Sequence, residues 1–203
     1  MSDLADLSDS QLVEAYKGGQ IEAFNLLVGR YRQELFHFLV RFLSNRASAE
    51  DVFQEAFLQV HLSIETFDTD RRFKPWLFTI AANKARDYLR RRNQRSAAQL
   101  SAPVGGDADS TREYLDLLQA DIDLPTEATE QDETRELVRD VVTELPDHLR
   151  EILILAYFHQ FPYKEIAQML SIPLGTVKSR LHAAVGTFAD MWKQKHGDRE
   201  VNL

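Results

Sequence analysis

Two small all-α domains joined by a flexible acidic linker are what this 203-residue chain predicts. Three observations lead there. Apolar residues recur at three- and four-residue spacing toward both ends of the chain, and period-two alternation of any length is missing. Charge is segregated: residues 22–95 carry net +4, residues 96–134 carry net −9, and residues 135–203 balance. The acidic middle contains SAAQLSAPVGGDADS, whose small and polar residues, Pro103 and Gly105–Gly106 read as linker.

Residues 1–21 form an acidic N-terminal segment, net −3, that includes the start of the first helix. From Leu12 to Leu43 the residues Phe24, Leu27, Val28, Tyr31, Leu35, Phe38, Leu39 and Phe42 mark one apolar helical stripe. Ser48, with Asp51 three residues on, makes an approximate capping box and predicts the next helix start. The apolar face of that helix is Val52, Phe53, Ala56, Phe57, Val60 and Ile64. A polar loop, Thr66–Lys74, precedes a helix from about Pro75 to Arg92, which closes a first domain of residues 22–95. The linker takes residues 96–132; within it Tyr114, Leu117, Leu118 and Ile122 keep the spacing of a short amphipathic helix. The second domain, 133–195, shows a helix at about 133–145, a stop at Pro146, a helix to about Phe158, and two shorter helices. A tail, 196–203, ends the chain.

Composition narrows the function classes. Zero cysteines exclude disulfides, thiolate zinc sites and cysteine nucleophiles, which fits a reducing cytoplasm. The start, MSDLADLSDSQL, lacks the basic-then-apolar order of a signal peptide. No apolar run approaches the ~18 residues of a membrane helix, so a soluble cytoplasmic protein without membrane insertion is expected. The six histidines show no ligand spacing, and phosphate-binding glycine loops and GxSxG are missing. No catalytic residue, metal or cofactor is expected, and no enzyme activity. Glu65, Asp68 and Asp70 in the polar loop are the one acidic group that could hold a divalent metal, the basis of an alternative reading as a metal-dependent nuclease.

The formal net charge of −8 argues at face value against a nucleic-acid partner, but its distribution argues the other way. Residues 71–95 hold nine basic residues and one acid, and residues 174–195 carry +3. A stripe of that density suits a phosphate backbone. Asn83, Arg86, Asp87 and Arg90 recur on one helix face, while Leu77, Ile80, Ala81, Tyr88 and Leu89 supply the buried one. Phe67, Phe73 and Trp76, interleaved with cations, could stack on unpaired bases, although core packing suits Trp76 better. On the preceding helix Asp51 and Glu55 lie four apart beside Gln54 and Gln59. Like charges at that spacing repel, and a basic partner surface would relieve them.

The run YKEIAQMLSIPLGTVKSRL carries the sharpest signal. Ile166, Ala167 and Leu170 form the buried side of a two-turn helix, Ser171-Ile172-Pro173 a tight turn with Ile172 inward, and Val177 and Leu181 anchor a second helix. Thr176, Lys178, Ser179 and His182 face outward from that second helix. This is helix-turn-helix spacing, with the second helix set for the major groove. A conventional regulator using only this motif, without a polymerase, is the non-enzymatic alternative.

Three motifs in order carry a resemblance: AEDVFQEAF at 49–57, FKPWLFTIAANKARDYLRRR at 73–92, and the stretch from Leu145-Pro146 to GTVKSRLHAA. Over about residues 10–95 and 133–192 the chain resembles an extracytoplasmic-function (ECF) sigma factor, the minimal branch of the sigma-70 family. The resemblance implies a two-domain specificity subunit of bacterial RNA polymerase. A sigma-2-like domain would dock Asp51, Gln54 and Glu55 on the clamp helices of the beta-prime subunit. The loop of Thr66, Phe67, Asp68, Phe73 and Lys74, with Trp76, would capture a flipped base of the minus-10 element. Asn83, Arg86 and Arg90 would then follow the non-template strand and assist melting. A sigma-4-like domain would meet the beta flap and read the minus-35 element of promoter DNA through Thr176, Lys178, Ser179, Arg180 and His182. The acidic linker would thread toward the active-site cleft, its charge imitating RNA, and an anti-sigma factor would regulate the chain. One departure is Ala183, where family members often carry a basic residue.

Overall fold

The computed structural model describes residues 4–98 and 130–196, and every regular element among them is helical. The described residues fall into two compact units, 4–39 with 46–98, and 40–45 with 130–196. Most of the linker, including the helical spacing at Tyr114–Ile122, lies outside the described residues, as does nearly all of the tail.

In the first unit a short 3-10 turn leads into α1 (Asp9–Lys17), followed by α2 (Ile21–Leu43, of which residues 40–43 are grouped with the second unit), α3 (Arg46–Ser63) and α4 (Phe73–Ala98). The single apolar stripe read from Leu12 to Leu43 is therefore two helices. Gly18 and Gly19 break it: Gly19 takes φ +93, a left-handed value that glycine adopts without strain, and Gln20 N–H closes back on Ala15 O at 3.0 Å. The capping box also sits elsewhere than expected. Ser8 and Gln11 cap α1 reciprocally, Gln11 N–H to Ser8 Oγ at 3.3 Å and Ser8 N–H to Gln11 Oε1 at 2.8 Å. Ser48 does not open α3, which has already begun at Arg46; its buried hydroxyl shares a 2.6 Å hydrogen bond with the Tyr88 hydroxyl of α4.

The apolar stripes meet in one core, with Leu27, Leu35, Phe38 and Leu39 of α2, Val52 and Phe57 of α3, and Leu77 and Phe78 of α4 all buried. Phe38 and Phe78 pack at a ring separation of 5.5 Å and Phe36 meets Phe53 edge-on at 6.0 Å. α1 joins this core through Leu12 and Val13. Asp9 fixes its N-terminus, accepting from Arg30 Nη1 at 2.6 Å and from the Tyr31 hydroxyl. Burial, then the hydrogen bond and charge of Asp9, push the Tyr31 phenol well above its ordinary pKa, so it stays a donor.

The second unit holds α5 (Glu130–Glu144), α6 (Asp147–Leu153) with a π-helical continuation at Ile154–Phe158, α7 (Tyr163–Leu170) and α8 (Leu174–His196). Three helices start on a proline carbonyl: Leu149 N–H reaches Pro146 O at 2.9 Å, Glu165 N–H reaches Pro162 O at 2.8 Å, and Thr176 N–H reaches Pro173 O at 2.9 Å. A proline cannot extend a helix backward, so each one sets a sharp start. The last helix is not short, as its periodicity suggested, but 23 residues long. Its far end is held by packing: Trp192 is buried, stacks on Phe188 at 5.9 Å and meets His196 at 4.7 Å, while Lys195 pairs with Glu144 of α5.

Candidate nucleic-acid interface

α7 and α8 form the predicted helix-turn-helix. Ile166 and Leu170 of α7 and Val177, Leu181 and Ala184 of α8 are buried, and Ala167 lies half-buried. Ser171 ends α7 in the left-handed region (φ 52, ψ 45), and Ile172 N–H bonds Ala167 O at 3.0 Å. Along α8, Lys178, Ser179 and His182 are exposed, whereas Thr176 and Arg180 are half-buried. Ser179 donates to Thr176 O at 3.2 Å. Ala183 is exposed beside His182, so the departure from the family pattern falls on the outward surface.

In the first unit the loop before α4 rests on an aromatic cluster. Phe67 lies 4.6 Å from Trp76 and 5.8 Å from Phe73, and Phe73 lies 5.6 Å from Trp76. Phe67 is 5% exposed and Phe73 2%, so the expectation that these two rings stack on bases is corrected. Their faces are used by each other and by Trp76, which is half-buried. Thr66, Asp68, Asp70, Arg71 and Arg72 form the exposed rim, with Thr69 half-buried.

That rim is ordered by its own hydrogen bonds. The Thr66 hydroxyl donates to Ser63 O at 2.8 Å, Asp68 Oδ1 accepts from Asp70 N–H at 3.1 Å, and Arg71 N–H reaches Asp68 O at 3.0 Å. Two further bonds come from α1: Lys17 Nζ donates to Phe67 O and the Ser10 hydroxyl to Thr69 O, both at 2.9 Å. Nothing in the sequence pattern singles out Ser10 or Lys17. Among the described residues no group of three or more His, Cys, Asp or Glu converges as a metal site.

On α4, Asn83 and Arg90 are exposed and Arg86 half-buried, with Arg86 donating to the Asn83 side chain. Several cations of this surface are paired within the chain: Lys74 with Glu34 at 2.6 Å, Arg71 with Asp68 at 3.4 Å, Arg90 with Asp87 at 2.9 Å. On α3, Asp51 is exposed and Gln54 and Glu55 half-buried. Glu55 is not the unrelieved charge that its spacing from Asp51 suggested, since Arg91 of α4 lies 3.5 Å away. The same face continues through two exposed leucines, Leu58 and Leu62, seven and eleven positions beyond Asp51. Their signal was present as apolar residues off the buried stripe.

A helix-turn-helix in one unit and an ordered polar loop with a basic helix in the other define a two-part helical protein built to meet DNA. Comparison with known proteins makes the class specific. The Sigma-70 region 2 family matches residues 27–95, and Sigma-70, region 4 matches residues 135–187. The RNA polymerase sigma-H factor of Pseudomonas aeruginosa is 34% identical over 186 residues, 89% of this chain and 92% of that protein. The ECF RNA polymerase sigma factor SigW of Bacillus subtilis is 34% identical over 170 residues, 84% and 89% of the two chains. The ECF sigma-E factor of Escherichia coli is 33% identical over 181 residues, 88% and 91%. In fold, the chain is similar to the sigma factor RpoE solved with the anti-sigma factor NepR from Bartonella quintana. The TM-score is 0.64 at 22% identity, covering 88% of this chain and all of that one. CnrH, solved with the cytosolic domain of CnrY, gives a TM-score of 0.63 at 23% identity, covering 92% and 97%. The chain belongs to the ECF branch of the sigma-70 family and is an RNA polymerase sigma factor.

Proposed function

We propose that the two units divide promoter recognition, with residues 22–95 serving core-polymerase binding, minus-10 recognition and melting, and residues 133–195 serving the minus-35 element. The observation that carries this is the separation of two surfaces on the first unit. On α3 lies an acidic and apolar stripe, Asp51, Gln54, Glu55, Leu58 and Leu62, of the kind that buries against a basic partner; its occupant is the polymerase beta-prime clamp. On the loop and α4 lies a polar and cationic surface: Thr66, Asp68, Lys74, Asn83, Arg86 and Arg90 meet the unpaired strand, with Trp76 at its edge. Phe67 and Phe73 support that surface from beneath. In the second unit Thr176, Lys178, Ser179, Arg180 and His182 meet duplex DNA in the major groove, and this unit meets the beta flap.

The chain supplies binding energy for unstacked bases and no bond-making step, and the polymerase performs nucleotidyl transfer. It acts in the cytoplasm, and a separate anti-sigma protein masks its surfaces, a reading supported by the anti-sigma factor NepR solved with the similar RpoE. Reconstituted transcription tests the reading. Core polymerase should start from cognate promoters only when this protein is added. Asp51→Arg should weaken core binding about tenfold or more while leaving the fold intact, since it places a cation against a basic surface. A conventional regulator would instead bind duplex DNA alone and leave core polymerase unaffected. DNA incubated with the protein and Mg²⁺ or Mn²⁺ should stay intact.

A further inference from the structure

We propose that α1 positions the base-capturing loop, with Ser10 and Lys17 as positioning residues that sharpen minus-10 discrimination. The inference rests on the assignment of the Thr66–Lys74 loop made above. Lys17 Nζ holds Phe67 O and the Ser10 hydroxyl holds Thr69 O, each at 2.9 Å and from 50 and 59 positions upstream. Asp68 lies between the two held carbonyls and is exposed. Lys74, at the end of the loop, pairs with Glu34 of α2, whereas the contacts of Thr66, Asp68 and Arg71 span three residues or fewer and can rearrange together with the loop. The two from α1 cannot, because α1 is itself fixed.

Three attachments fix it. Asp9 is gripped by Arg30 and Tyr31 of α2, Leu12 and Val13 are buried, and the Tyr16 hydroxyl meets His61 Nδ1 of α3 at 2.6 Å. Glu14 approaches Lys17 only to 3.9 Å, so the Phe67 carbonyl is the ammonium's nearer partner. Surface-loop carbonyls are ordinarily satisfied by water, which leaves the segment free to move. Here the backbone is pinned from one side by α1, and Phe67 wedges it from below against Trp76. A loop free to readjust can satisfy a wrong base. A pinned one leaves polar groups unpaired when the base is wrong, and that penalty is what discrimination consists of.

The test compares wild type with the Ser10→Ala/Lys17→Met double variant, each assembled with core polymerase, on promoters carrying single minus-10 substitutions. The ratio of transcription from the cognate promoter to that from substituted ones should fall about five- to tenfold in the double variant, the size expected for losing two such hydrogen bonds. Core affinity and minus-35-dependent binding should not change. Lys17→Arg, which keeps a cationic donor, should restore most of the ratio in the Ser10 background. Hydrogen exchange on the isolated proteins should show faster exchange at the amides of Asp68–Arg71 and unchanged protection in α3 and α4. A ratio retained by the double variant, with wild-type discrimination present, overturns the clamp alone. A wild-type holoenzyme indifferent to minus-10 changes overturns the loop assignment and the proposal with it.

Discussion

The two candidate DNA surfaces hold their cations differently. On the first unit Lys74, Arg71 and Arg90 each lie beside a carboxylate of the same chain. On the recognition helix, Lys178 and Arg180 take part in no ion pair among the described residues. A bare cation meeting a phosphate releases condensed counterions from DNA at no cost to the protein. A paired cation must first give up its carboxylate, so part of the gain is returned. On the proposed reading, DNA binding through α8 is therefore the more salt-sensitive of the two. The first unit leans more on shape, through a loop seated on buried rings.

Four measurements break or sharpen that contrast. Phe67→Ala removes the ring beneath the loop and should cost about 3 kcal/mol in the first unit. Chemical denaturation should show the loss there and leave the unfolding of the second unit in place. Equal destabilisation of both units would contradict the seating of the loop as a local feature. Lys178→Ala should lower minus-35 binding about tenfold and reduce the slope of log K against log salt by about one. The same titration with Arg90→Ala should lose visibly less slope, because Asp87 already offsets that charge.

Ser171→Gly should stabilise the second unit by about 1 kcal/mol, relieving the left-handed backbone that a side chain resists. Its melting temperature should rise with the recognition surface unaltered, and unchanged minus-35 affinity is the check. The smallest effect belongs to Asp87→Asn. Freeing Arg90 should tighten minus-10 strand binding about two- to threefold at low salt, with the gain vanishing as salt rises. No gain at low salt would mean that the pairing on α4 does not tax DNA binding.

Much of this arrangement was legible in the sequence, and the parts that were not share a physical reason. The helical stripes, the stop at Pro146 and the helix-turn-helix follow from periodicity and from residues that dictate their own backbone. Periodicity measures spacing only. It ran through Gly18–Gly19, where the backbone of one residue divides the stripe. It placed Ser48 at a helix start because Ser and Asp suit a cap, whereas the Tyr88 hydroxyl, 40 positions away, gives Ser48 a buried role. It could not extend α8 to His196, since that length depends on Trp192 packing and on Lys195 meeting Glu144. Which residues lie exposed was more legible than which atoms they offer. Lys178, Ser179 and His182 face solvent as expected, but whether Phe67 offers a ring or hides one depends on Trp76 and Phe73 folding over it. Partners distant in sequence, such as Ser10 for Thr69 and Arg91 for Glu55, leave no local mark.

The Glu55–Arg91 pair has a thermodynamic corollary. One of its members stands on the face assigned to the polymerase and the other on the helix assigned to DNA, so the two ligands compete with a single internal bond. Whatever withdraws Glu55 leaves Arg91 available to a phosphate, and reciprocity requires that a phosphate on Arg91 release Glu55 by the same factor. A half-exposed pair limits that factor to about fivefold. On the proposed assignment of the two faces, binding at either one would favour binding at the other.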